Sequence, residues 1–275
     1  MKTTIRFWGV RGSIPVPGQK TGFYGGNTSC LEVTSGETTL ILDAGTGLHP
    51  LGKEQAKKRQ KIHLFITHCH MDHICGLPFF KPLYQRRRLY LYGPGGRGKG
   101  LHQLLNSFLA REFFPIPLDK MPASLFFRTI NQRRTIPPFT IESVRLNHPG
   151  MTLGYFITLP SKKRIAYITD REPLSRFRHH TTVKNESPLI RNLQGVDLLI
   201  HDGQYLDQEY ASHKGWGHSS ISDLLKLARQ VEAKHLVIFH HDPAHDDKIL
   251  GKLEKKIQKK KQKICLAREG MTLTL

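Results

Sequence analysis

A chain of 275 residues can bury a large core, and no apolar run in it approaches the roughly 20 residues of a membrane span, so no transmembrane helix is expected. With 42 Lys and Arg against 22 Asp and Glu, the formal charge of +20 draws polyanions and argues for a phosphate-bearing substrate or partner. The four cysteines, Cys30, Cys69, Cys75 and Cys265, have no paired spacing, which is the usage expected of reduced thiols in a cytoplasmic protein.

In chain order, residues 1–11 carry no secretory-type apolar stretch and read as a first strand. Leu31–Val33 and Thr39–Leu42 read as a hairpin turning at Ser35-Gly36, after which residues 43–47 close a tight glycine turn. Ile62–Ile66 is a buried strand by its apolar run. A helix is expected over 101–112. Residues 141–146 alternate as a strand and deliver His148; 164–169 deliver Asp170; 235–239 deliver His240. Ser219–Val231 has a capping serine and helical apolar spacing, a basic helical pattern runs over 247–261, and residues 271–275 finish as a strand. Strands alternate with helices, so the fold class is α/β, with 1–275 expected as one domain and its two halves dividing near residue 135.

Between 67 and 73 the chain reads Thr-His-Cys-His-Met-Asp-His, directly after a strand. His68 and His70 lie two apart on extended backbone and face one way, whereas Asp72 and His73 sit where the chain turns, so two donor groups can enter one pocket. Imidazole and carboxylate suit zinc, iron or manganese. Cys69 should point to the opposite face and pack.

This His-x-His-x-Asp-His pattern after a strand resembles the signature of the metallo-β-lactamase superfamily. Residues 9–15, 24–30 and 42–47, together with Gly217-His218-Ser219-Ser220, resemble its phosphodiesterase-type branch, which includes ribonuclease Z and cyclic phosphodiesterases. The resemblance implies a four-layer αββα sandwich with helices outside two central sheets. It implies two divalent ions, zinc first and manganese or iron as alternatives: His68, His70 and His148 on one, Asp72, His73 and His240 on the other, and Asp170 bridging. Two such ions can deprotonate a water and polarise a phosphoryl oxygen, so hydroxide would be the nucleophile. Asp72, His218 and Asp202 are the candidate catalytic residues, with His218 as general acid and Asp202 holding and charging its ring. Where ribonuclease Z has His-Glu-Ala, this chain has His201-Asp202-Gly203, a shorter carboxylate.

Other residues carry less. Asp43 and Asn27 are expected to orient ligands or form turns. Residues 93–100 lack the Ser/Thr of a nucleotide P-loop and read as a surface loop. His179, His180, His213 and His245 are expected at the surface or the pocket rim; His49, His63, His102 and His235 show no partner pattern, and His241 should point away from His240.

The expected activity is hydrolysis of a small or cyclic phosphodiester. The alternatives are a ribonuclease Z-type endoribonuclease, hydrolysis of another ester, thioester or lactam, and a non-catalytic nucleic-acid-binding or metal-sensing protein. Basic clusters at 86–88, 97–99, 133–134, 162–164 and 255–263 could follow nucleic acid, but no aromatic-interleaved recognition motif accompanies them, and a solvated helix face explains the last.

Overall fold

Thr38–Leu42 and Leu198–Asp202 are buried at every residue, as strands must be when both faces are covered. The computed structural model describes residues 2–58, 60–95, 100–130, 133–176, 183–258 and 263–275. Its first sheet contains β1 (Thr3–Gly9), β2 (Cys30–Ser35), β3 (Thr38–Leu42), β4 (Lys61–Phe65), β5 (Arg88–Gly93) and β6 (Ser124–Thr129), plus β14 (Thr272–Thr274) at the edge beside β1. The second contains β7 (Arg134–Ile136), β8 (Phe139–Arg145), β9 (Leu153–Thr158), β10 (Arg164–Ile168), β11 (Leu198–Asp202), β12 (His235–Phe239) and β13 (Lys263–Leu266).

The two sheets repeat one pairing pattern. From β14 through β1 and β2 to β3 every pair is antiparallel, and from β3 through β4 and β5 to β6 every pair is parallel. From β7 to β10 the pairs are again antiparallel, and from β10 to β13 parallel. Parallel strands need crossovers, and those crossovers bring the helices to the outer faces. Helices α1 (Leu48–Gln55) and α3 (Leu101–Phe108) set Leu48, Leu51, Leu101 and Leu105 against the first sheet. Helices α4 (Ser187–Leu193), α5 (Ile221–Gln230) and α6 (Asp247–Ile257) do the same with Leu193, Leu224 and Leu250 against the second. Between the sheets lies a third cluster that includes Phe7, Phe65, Phe139, Tyr155, Tyr167 and Phe239. The result is the expected four-layer αββα arrangement. Truncating a wholly buried member such as Leu224 to Ala should cost roughly 2–5 kcal/mol.

Helix α5 begins where Ser220 accepts a hydrogen bond from the Asp223 amide at 3.3 Å, satisfying a donor that has no partner within the helix. Two local readings are corrected. The helix expected over 101–112 stops at Phe108, because Leu109 leaves helical geometry and is itself buried, and the next residues turn through a Phe113 N–H to Ala110 bond. The C-terminal helix ends at Ile257, and Lys263–Leu266 is a strand beside β12; Lys259–Lys261 lies outside the described residues. Both halves carry strands and helices as expected, and β14 returns from the second half to the first sheet. Among the described residues no helix is long and apolar enough to cross a membrane.

Candidate metal centre

The strand β4 ends at Phe65, the chain bends at Thr67, and His70, extended with φ −68° and ψ 154°, precedes the short helix α2 (Met71–Ile74). His68 and His70 come from the segment between β4 and α2, and Asp72 and His73 from the helical turn. The other participants stand just past strand ends: Asp43 after β3, Asp170 after β10 and His240 after β12. All three have left-handed backbones, with φ of 63°, 55° and 60°. That conformation is unfavourable for residues with a Cβ and persists where surrounding structure imposes it, commonly at functional sites.

The structure brings His68, His70, His148 and Asp170 into one donor group and Asp72, His73, Asp170 and His240 into a second, with the donor atoms of each within 4.8 Å of one another. Asp170 belongs to both. Its Oδ2 lies 3.4 Å from His68 Nε2, 3.3 Å from His73 Nε2 and 3.7 Å from His148 Nε2, and its Oδ1 lies 3.1 Å from His240 Nε2. All but His70 are buried, and His70 stands at the open side. A cavity of about 160 Å³ adjoins it, lined by His68, His70, Pro94, Pro149 and Met151 among others.

The ring orientations test whether cations fit here. His148 Nδ1 donates to the Gly217 carbonyl at 2.9 Å, His73 Nδ1 donates to Asp43 at 2.9 Å, and His240 Nδ1 donates to the Gln204 side-chain oxygen at 3.0 Å. In a neutral imidazole so committed, Nε2 carries a lone pair. Yet His148 Nε2 faces His70 Nδ1 at 3.0 Å, and His73 Nε2 faces His240 Nε2 at 3.2 Å. His68 Nε2 is buried with no hydrogen-bond partner. Converging lone pairs and an orphaned buried nitrogen are a set of donors that divalent cations would satisfy, with His73, His148 and His240 held from behind as metal-binding histidines are.

The charges agree. Burial works against ionisation, but the neighbouring histidines hold the Asp170 and Asp72 carboxyls well below the usual range. Burial pushes His148 down to about 3 and His68 well below its ordinary value, so both rings are neutral. Burial also opposes charge on His73, but Asp170, Asp72 and Asp43 outweigh it and raise that ring, and a cation bound beside those carboxylates would displace the proton and free the Nε2 lone pair. Buried carboxylates at this density require compensating positive charge, and metal ions would supply it.

His218 and Asp202 sit on the other side of the cluster. Asp202 ends β11 and accepts from the Arg171 amide at 3.1 Å, the Gln204 amide at 3.0 Å and the Ser219 amide at 3.2 Å, which fixes its carboxylate. Its Oδ2 lies 3.3 Å from His218 Nδ1, and the His218 ring stacks on His240 with centroids 5.1 Å apart. Burial opposes the charge, but Asp202 raises the His218 ring to about 9, so it is protonated near neutrality. The shorter carboxylate at 202 reaches the histidine.

His241 turns away and donates to the Ala267 carbonyl at 2.9 Å. Asp43 collects Thr67 and Tyr167 as well as His73, and Asn27 pairs with Glu269. Cys69 packs against the apolar cluster beneath the first sheet. His245, expected at the rim, is buried and paired with Glu209 at 3.0 Å, because the turn after β12 folds inward under Arg11. His63, His102 and His235 do have partners, namely Tyr92, Asp119 and Cys265; His179 and His180 lie outside the described residues. Sequence reasoning missed Gln204 and Glu172. A polar residue two beyond a strand-end carboxylate was the only signal either gave.

Comparison with known proteins places this geometry. The beta-lactamase superfamily domain profile matches residues 38–241. The Ribonuclease Z of Porphyromonas gingivalis is 24% identical over 252 residues, covering 78% of this chain and 82% of that protein. The human short-form tRNase Z superimposes with a TM-score of 0.67 at 20% identity, over 98% of each chain. Zn(2+)-bound PqqB from Methylobacterium extorquens superimposes with a TM-score of 0.72 at 18% identity, over 99% of this chain and 100% of that one. With the family profile covering most of its length and two seven-stranded sheets framing the histidine cluster, the chain belongs to the metallo-β-lactamase superfamily.

Proposed function

We propose that this chain is a cytoplasmic, single-domain hydrolase that uses two divalent ions, zinc in preference to manganese or iron, to cleave a small phosphodiester. His68, His70, His148 and Asp170 would hold one ion, and Asp72, His73, His240 and Asp170 the other. The chemistry such ions supply is polarisation of a phosphoryl oxygen and acidification of a water, which removes the need for a protein nucleophile. The chain's own residues do the rest. Asp170 ties the two donor groups together, and Asp43, Gln204 and the Gly217 carbonyl fix the rings. His218 carries a proton on the ring that faces the site and delivers it to the leaving alkoxide, while Asp202 keeps that ring charged and aligned.

One observation carries the reading: a buried double donor group sharing Asp170 has His218 beside it, paired with the Asp202 carboxylate at 3.3 Å, and an acid held there serves a poor leaving group such as an alkoxide. Zinc is supported by the imidazole and carboxylate donors and by the zinc-bound structural relative. The cytoplasmic placement rests on the four free cysteines.

Endoribonuclease activity is the second reading, favoured by the relatives named Ribonuclease Z and by the +20 charge. Against it, only residues 94–100 separate β5 from α3, too few for the long arm by which ribonuclease Z is expected to hold transfer RNA. The test assays metal-loaded and metal-stripped protein against cyclic nucleotides, bis-aryl phosphates, precursor transfer RNA and lactams across salt. Salt-tolerant, metal-requiring turnover of small diesters is expected. RNA cleavage that collapses steeply with salt would select the endoribonuclease, since each neutralised phosphate releases counterions.

A further inference from the structure

Trp216 stands two residues before His218, and its indole is 61% exposed. Lone exposed aromatics are ordinary on protein surfaces, and Phe113 at 78% needs no special account. Trp216 differs because its backbone is clamped. Glycines flank it with φ of 91° and 92°, a conformation that turns the chain sharply on each side. The buried Glu172 carboxylate accepts from the Gly215 amide at 3.0 Å and the Gly217 amide at 3.0 Å, while the Tyr210 hydroxyl donates to it at 2.5 Å. Gly217 in turn accepts from His148, so the segment carrying Trp216 is joined directly to a proposed ligand.

The indole is also braced. His213 meets it edge-on with centroids 4.8 Å apart and stacks flat on buried Tyr205 at 4.4 Å, and Tyr205 contacts the His218 ring at 5.8 Å. A run of rings therefore leads from the proposed acid to an exposed aromatic surface. Two more exposed apolar side chains flank site residues: Met71, between His70 and Asp72, is 63% exposed, and Ile14 is 57% exposed beside Ser13, whose amide donates to Asp72 at 2.8 Å. Exposed apolar side chains therefore stand beside residues of both donor groups.

We propose that Trp216 is a stacking platform, and that the substrate is a nucleoside phosphodiester whose base lies against it; the substrate class rests on the phosphodiesterase reading above. A rigid indole offers a large π-face, and stacking on an aromatic side chain tolerates any base.

The experiment uses zinc-loaded protein. Of the two tryptophans, Trp8 is buried, bonded to Glu32 and covered by Arg6, so ligand-dependent fluorescence reports on Trp216. Adenosine monophosphate should quench it saturably, glycerol phosphate should not, and the response should vanish in Trp216→Phe. Trp216→Ala should raise KM for a nucleoside diester by about 5- to 100-fold, the usual worth of a base–aromatic stack, with kcat changed by only a few-fold and zinc content unchanged. Trp216→Phe should restore much of the loss, and a ring-free dialkyl diester should be indifferent to either change. No quenching by the nucleotide, or equal damage to the ring-free diester, overturns the proposal. If wild type cleaves no phosphodiester, the reaction reading fails, and the quenching comparison still decides whether Trp216 takes a base.

Discussion

His73 and His240 face each other Nε2 to Nε2 at 3.2 Å while their Nδ1 atoms are committed to Asp43 and Gln204. Neither ring can relieve the other by turning, since each is held from behind. The arrangement stores a place for a cation.

Because Gln204 is what commits His240, Gln204→Leu should loosen one donor group and leave the other. Metal affinity at that group should fall about 10- to 100-fold, the usual effect of removing a partner behind a ligating histidine. Two-site metal titration reads this directly. Equal weakening of both sites would show that Gln204 holds the fold and not the ring.

His218→Ala should keep its metal and slow turnover by roughly 10²- to 10⁴-fold. Substrates with an acidic leaving group, such as a nitrophenolate, need the proton least and should suffer least. A loss of metal, or the same penalty for every leaving group, would make His218 a ligand or a structural residue.

Glu172→Gln removes an acceptor from a carboxylate that serves two amides and a hydroxyl. Leaving a buried donor unpaired costs about 1–3 kcal/mol, so the melting temperature should fall. The Gly217 carbonyl should also shift, and metal binding by the group containing His148 should weaken more than the other. Unchanged stability would contradict the clamp.

His63 lies far along β4 from the cluster, stacked on Tyr90 and bonded to Tyr92 at 3.0 Å. Burial, with the charge of Lys61, pushes its ring down to about 4. The unfolded chain binds this proton from about pH 6.5 downward, whereas the folded chain does so only near pH 4, so protonation favours unfolding in between. Stability from this residue is full above about 6.5, declines as the pH falls, and levels off below about 4. Urea unfolding of wild type and His63→Phe should show their difference shifting in favour of the variant across that window; a constant difference would contradict it.

Much of this was readable in advance where local pattern and chemistry coincide. The apolar run before Thr67, and the strands ending at His148, Asp170 and His240, each announce themselves by short-range periodicity. The family resemblance supplied the four layers that periodicity alone could not. What stayed hidden depends on distant partners. Nothing in Lys263–Leu266 signals its pairing with β12, and nothing in Thr272–Thr274 signals its return to β1. Glu172 and Gln204 are single polar residues whose importance comes from donors and acceptors elsewhere in the chain. His245 reads as a surface residue, yet its carbonyl accepts from the buried Arg11 guanidinium and its ring pairs with Glu209.

The central claim is a double cation site whose halves share one carboxylate, and metal analysis of Asp170→Ala beside wild type tests it most directly. Wild type purified with zinc or manganese should carry about two ions per chain, because two of the donor groups share Asp170. The variant should lose affinity at both sites, since Asp170 reaches His68 and His73 through one oxygen and His240 through the other. Wild type without bound metal, or a variant retaining full occupancy at both sites, would contradict the account.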